Sequence, residues 1–300
     1  VLDSKGEKMG SLTGKVAVVT GASRGIGRGI ALALADEGAT VYVTGRTVTP
    51  GGHPLPGTVG ETATEVDSRG GRGVAVQVDH GNDEQVATLF EQVDREQGRL
   101  DLLVNNAFTL PESLTDPDPF WEKPLSYWEM VDVGVRSNYV AAWHAARIMV
   151  PQKSGLMVAV SGYTGVTYTY GVVVGMCKAA VDRMARDMAV ELEPHHVASL
   201  SLWMGLTFTE RAERALQANP AMKSKTVTDP NVGSSVEFPG RVIAALVNDA
   251  RVMERSGGTF ITAELARAYG VTDINGNTPP SLRAQRGSPI YSPIHSPGDI

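Results

Sequence analysis

The sequence predicts an α/β fold in which a doubly wound, mostly parallel sheet of about seven strands carries helices on both faces. Three observations predict it. Short β-branched runs alternate with longer stretches of helical period along the chain. The strand runs are mostly apolar instead of apolar at every second residue, so both faces of the sheet must be covered. A glycine-rich turn joins the first run to the first helical stretch. Such a Rossmann-like sheet binds ligands at the carboxyl ends of its strands.

In chain order, strands are expected over 16–20, 40–44, 74–78, 100–104, 156–160, 197–203 and 259–262. Helices are expected over 26–37, 83–97, 126–149, 172–193 and 234–248. With 300 residues, 42% apolar side chains and no repeat, a single large domain over 12–278 accommodates them. Residues 1–11 read as a flexible lead or tag remnant, because VLDSKGEK has no apolar core and precedes Met9. Residues 279–300 mix Pro, Ser and Gly without period and read as a tail, mobile or pinned by a partner subunit.

Composition narrows the partners. A net charge of −6 and a pI near 5.6 leave no basic footprint for nucleic acid or an anionic membrane. No apolar run approaches bilayer length, and the single Cys177 cannot form an intrachain disulfide. Six histidines show no metal-ligand spacing, so no metal site is expected. A cytoplasmic protein with a small-molecule partner follows.

After the first strand comes TGASRGIGRGI, with Gly21, Gly25 and Gly27 in G-x-x-x-G-x-G spacing and Ser23, Arg24 and Ile26 between them. Missing side chains let the backbone approach a pyrophosphate and aim a helix N-terminus at it, the signature of a dinucleotide site. An NAD site places a carboxylate at the end of the second strand to bond the ribose 2′-hydroxyl. Here Gly45 and Arg46 stand there. A guanidinium suits a 2′-phosphate, and Arg24 can close on the same group, so NADP(H) is expected over NAD(H).

TGASRGIG, Asp79 after the third strand and Asn105-Asn106-Ala107 after the fourth together resemble the short-chain dehydrogenase/reductase superfamily over about residues 12–270. NNAF, FWEKP at 120–124, VGVR at 133–136, ARIMVP at 146–151 and LARAYGVTD near Leu265 are similar to its branch called dehydrogenase/reductase family member 1. The resemblance implies that Asp79, with His80 beside it, sits by the adenine and that Asn105 and Ala107 brace sheet and cofactor. It also implies that Gly205, Thr207 and Thr209 line the nicotinamide side, and that Met204 replaces a usual proline.

The family chemistry is hydride transfer between a nicotinamide and a carbonyl or alcohol. A tyrosine supplies the proton to the developing alkoxide, and a lysine four residues later on the same helix holds the ribose and lowers the phenol's pKa. Lys178 is present, but Val174 occupies the tyrosine position. Spacing to Lys178 favours Ser161 as the carbonyl-orienting serine; alignment through Gly165 puts Gly162 there instead. The family's helix asparagine aligns with Gly134, and Asn138 lies one turn on.

Tyr163, Tyr168 and Tyr170 are pocket-wall or core candidates, with Tyr170 a possible substitute acid one turn out of place. Cys177 reads as a small buried hydrophobe. A loop carrying Phe108, Phe120 and Trp121, and a lid at about 208–238, would shape a partly apolar pocket. Small residues on the helices around Ala141 and Ala180 suit close packing, and members of the family pair these helices in dimers or tetramers. Two functions remain open: an NADP(H)-dependent oxidoreductase with weak or absent turnover, or an inactive NADP(H)-binding sensor or scaffold subunit.

Overall fold

A computed structural model describes residues 11–218 and 233–294. From β1 (Val16–Val19) the chain turns into α1 (Gly25–Ala35), then through β2 (Thr40–Gly45), α2 (Val59–Ser68), β3 (Arg72–Gln77), α3 (Asp83–Gln97) and β4 (Leu102–Asn105). The second half comprises α4 (Glu129–Val131), a π-helical turn (Asp132–Arg136), α5 (Ser137–Gln152), β5 (Gly155–Gly162), α6 (Val172–Leu192) and β6 (Val197–Met204). It continues with α7 (Glu210–Ala218), α8 (Phe238–Val247), β7 (Thr259–Ile261), α9 (Thr262–Tyr269) and α10 (Arg283–Arg286).

All seven strands pair in parallel, in the order β3-β2-β1-β4-β5-β6-β7. Winding reverses between β1 and β4, opening a crevice at their carboxyl ends. Alternate residues of each strand feed two apolar layers. Val19, Val41, Val43 and Leu202 pack with Ile30, Leu34 and Ile243 of α1 and α8 on one face. Val18, Tyr42, Leu103 and Met157 pack with Leu89, Ala141 and Met149 of α3 and α5 on the other. The expected architecture of seven strands covered on both faces is the one observed.

Three local differences have physical reasons. No bounds are given in advance for a helix between β2 and β3, and α2 forms there with Val59, Thr62, Ala63 and Val66 buried at helical spacing. A reciprocal cap starts it: Thr58 Oγ1 accepts from the Glu61 amide at 3.0 Å, and the Glu61 carboxylate accepts from the Thr58 amide at 2.9 Å. The helix expected over 126–149 is broken into a 3₁₀ turn, α4 and the π turn before α5, which runs on to Gln152. The Phe108 ring lies against Gly134 in the π turn, where an added Cβ would come within 2.4 Å of ring carbons.

The third difference is the segment from Pro279. Residues 279–294, expected as a tail, lie on their own chain. The Tyr163 hydroxyl accepts from the Leu282 amide at 3.1 Å, and the Thr259 and Ile294 amides donate to the Tyr291 and Ser256 carbonyls, both at 2.9 Å. These partners lie far away in sequence, which local composition does not reveal. Among the described residues, no helix is long and apolar enough to cross a membrane.

Candidate active site

The glycine turn is built by backbone and one hydroxyl. Thr20 Oγ1 donates to the Val104 carbonyl and accepts from the Asn106 and Ala107 amides at 2.8 and 2.9 Å, pinning the end of β4 to the end of β1. Asn106 Nδ2 donates to the Thr20 and Gly21 carbonyls at 2.8 and 3.1 Å. This closeness leaves no room at Gly27, where a Cβ would stand 2.4 Å from both Asn106 Nδ2 and the Gly21 carbonyl oxygen. Gly21 and Gly25 adopt φ of +65° and +57°, the left-handed region that favours glycine. Ser23 is buried inside the turn, and Ile26 packs partly buried against the core.

The turn delivers the N-terminus of α1 to the crevice. The free Gly25 amide there meets the Glu210 carboxylate, Oε2 at 3.0 Å and Oε1 at 3.4 Å. An anionic oxygen at this amide is the chemical stand-in for a phosphate oxygen, so the residues present fit a dinucleotide pyrophosphate.

The end of β2 is cationic. Arg24 donates to the Pro56 and Gly57 carbonyls at 2.9 and 2.8 Å and to Thr47 Oγ1 at 3.0 Å, tying the loop after β2 over the glycine turn. Arg46 is exposed beside it, and its charge helps lower the pKa values of Arg24, His53 and His80. Desolvation is the larger cause for all three.

His80 is buried, with Nε2 2.8 Å from Thr44 Oγ1. That hydroxyl spends its proton on the Val19 carbonyl, so His80 must donate from Nε2 as the neutral ring. Burial pushes its pKa down to about 4. Asp79, half-buried, accepts from the Gly81 amide at 3.0 Å. Asn105 is turned towards α5, donating to the Asn138 carbonyl at 3.1 Å, while Asn138 donates to the Gly134 carbonyl. Asn105 therefore braces β4 against the helix, Asn138 bonds back along its own helix, and the buried Oδ1 atoms of both have no hydrogen-bond partner among the described residues.

At the far side of the crevice, Lys178 Nζ donates to the Val160 carbonyl at 3.0 Å and lies 4.4 Å from the centre of the Phe108 ring. Desolvation there pushes the ammonium down to about 8, although the Asp182 carboxylate opposes the shift. Asp182 is itself buried, bonded to the Ser201 hydroxyl and, at 2.8 Å, to the Trp203 indole; burial raises its pKa. Ser161 belongs to this buried set: its Oγ lies 3.3 Å from the Lys178 carbonyl and within reach of Asp182. The neighbouring Gly162 has open space where a side chain would point.

Val174 packs with Leu114, Tyr127, Met130 and Cys177 in an apolar cluster that Phe108 and Leu110 extend. Cys177 sits in the same cluster, and burial pushes its thiol up to about 11, far from a reactive thiolate. Of the three tyrosines, Tyr163 is engaged by Leu282 and packs on Trp203 with ring centres 5.1 Å apart. Tyr168 is exposed. Tyr170 is 45% exposed and precedes Gly171, whose φ of +99° separates it from α6, so it does not continue the lysine's helix.

Of the residues expected to line the nicotinamide, Gly205 faces open space, while Thr207 pairs with Ser234 across a short bridge. Thr209 Oγ1 caps α7, accepting from the Ala212 amide at 3.2 Å. Of the lid expected over 208–238, residues 219–232 lie outside the described residues. Sequence reasoning missed Glu210, Asp182 and the loop that grips Arg24. A threonine followed by acidic residues signals the start of α7, but nothing local places that start on another helix's N-terminus.

A family model described as short chain dehydrogenase matches residues 15–220. The chain is 44% identical over 274 residues to the mouse protein "Dehydrogenase/reductase SDR family member 1", an alignment covering 88% of this chain and 85% of that one. Its human counterpart is 40% identical over the same shares. A 1-cyclohexenylcarbonyl-CoA reductase of Streptomyces collinus is 36% identical over 61% of each chain. Among solved structures, a short-chain type dehydrogenase/reductase from Mycobacterium marinum superimposes with a TM-score of 0.70 at 26% identity, covering 84% of this chain and 94% of the other.

Proposed function

This chain belongs to the short chain dehydrogenase family, and from that premise we propose that it binds NADP(H) in preference to NAD(H) and has the site of a carbonyl reductase lacking its usual acid. The observation carrying the cofactor choice is the cationic end of β2, where Arg24 and Arg46 gather and no carboxylate follows the strand. A 2′-phosphate suits that field; the NAD-type carboxylate contact to a ribose hydroxyl has no candidate there.

A bound nicotinamide supplies or accepts the hydride. The chain's own residues bind and orient. The turn from Gly21 to Gly27 offers amides to the phosphates, Lys178 holds the ribose, and Phe108 with the Leu114 and Tyr127 cluster excludes water beside it. These apolar walls suit a partly apolar carbonyl compound or alcohol. Exposed Tyr139 and Trp143 on α5, with Val172 and Met176 on α6, support self-association through these helices.

A second reading, cofactor binding without turnover, is favoured by one observation. Val174 is only 4% exposed and fills an apolar cluster, and it has no proton to give. Fluorescence titration with NADPH and NADH, on this chain and on Arg46→Ala, tests the cofactor choice. The unaltered chain should bind NADPH at least about tenfold more tightly, as one charge-assisted contact allows, with the margin shrinking in the variant. Equal affinities for both dinucleotides would overturn it.

A further inference from the structure

The strongest unexplained contact in the crevice is the carboxylate of Glu210 on the amide of Gly25, at 3.0 and 3.4 Å. Glu210 is the first residue of α7, yet its side chain does not serve that helix. Thr209 caps α7 instead, with Oγ1 accepting from Ala212 and its carbonyl accepting from the Glu213 amide at 2.9 Å. The carboxylate is thus free to reach across 185 residues of sequence to the first turn of α1.

Charge fits the contact. The N-terminus of a helix is partly positive. Arg24 flanks it, and the Glu210 charge works to hold the Arg24 proton against desolvation. Further along α7, Arg214 reaches Glu112 at 3.7 Å, so the helix lies between the glycine turn and the loop after β4.

We propose that Glu210 is an internal competitor for the dinucleotide phosphate and so a determinant of cofactor affinity. The carboxylate holds α7 down on the glycine turn until a phosphate group displaces it. This rests on the dinucleotide reading above and adds the residue that opposes binding. A carboxylate oxygen 3.0 Å from the Gly25 nitrogen stands where a phosphate oxygen would meet that amide, and two anions in contact there repel, so one must leave.

Glu210→Gln and Glu210→Ala, compared with the unaltered chain, test it by NADPH titration and by the amide resonance of Gly25 without cofactor. Loss of a carboxylate at a helix N-terminus should tighten NADPH binding about two- to fivefold, more in the alanine variant than in the glutamine one. The Gly25 resonance should move in both variants before any cofactor is added. Unchanged affinity in both variants, or weaker binding, overturns the competitor role while leaving the dinucleotide reading intact. A Gly25 resonance that stays in place overturns the contact itself. Failure of all three proteins to bind any dinucleotide overturns the parent reading and this inference with it.

Discussion

The two ends of the crevice are built on different principles. At the β1 end, the groups proposed to meet the dinucleotide are backbone amides, and their geometry is fixed by Thr20, Asn106 and three glycines packed to contact distance. At the β5 and α6 end, the proposed chemistry depends on individual side chains: Lys178 donates to the Val160 carbonyl, while Val174 is packed into an apolar cluster. A backbone-made site is damaged mainly by disturbing the fold. On the proposed reading, a side-chain site is silenced by one substitution that the fold tolerates well, because a buried valine contributes packing where it removes a proton.

The sharpest way to break that contrast is Val174→Tyr. If only the acid is missing, reduction of a panel of carbonyl compounds with NADPH should rise about 10²- to 10⁴-fold, the usual worth of general acid catalysis. Absence of any gain, with cofactor binding retained, would mean that the α6 end lacks more than a phenol and would favour the non-turnover reading.

A smaller effect examines whether the β1 end is truly indifferent to side-chain charge. His80 has a folded pKa of about 4 against an ordinary 6.5, so the unfolded chain binds the proton more readily between those values. Stability should therefore fall as pH drops from about 6.5 to 4, by up to about 3 kcal/mol for the full shift. Denaturant unfolding of His80→Asn should lose that part of the pH dependence; an unchanged profile would show that His80 is not its source.

The smallest expected effect is Gly27→Ala. Its Cβ would lie 2.4 Å from the Gly21 carbonyl, and relieving such a backbone clash costs about 1–3 kcal/mol of stability. NADPH affinity should fall alongside. A variant as stable as the unaltered chain, with normal binding, would show that the turn is looser than its packing implies.

This same contrast decides what could be read in advance. The seven strands and the glycine turn are legible because apolar runs and glycine spacing are local signals. Helix α2 is given no bounds despite its Thr58 to Glu61 cap, since its short amphipathic stretch stands in a polar, glycine-rich context. Site features that depend on distant pairing were not legible. Glu210 on Gly25, Phe108 over Lys178 and Ser161 among Asp182, Ser201 and Trp203 each join segments that only the folded sheet brings together. Serine spacing along the chain placed Ser161 near Lys178, but not which side of the strand its hydroxyl would occupy.

The segment that ends at Ile294 has a further consequence. The Thr259 amide on the outer side of β7 donates to Tyr291, so the last strand of the sheet does not present a bare rim to other molecules. Shortening the chain before Tyr291 would free that amide and leave the border of the sheet open to pairing with another molecule.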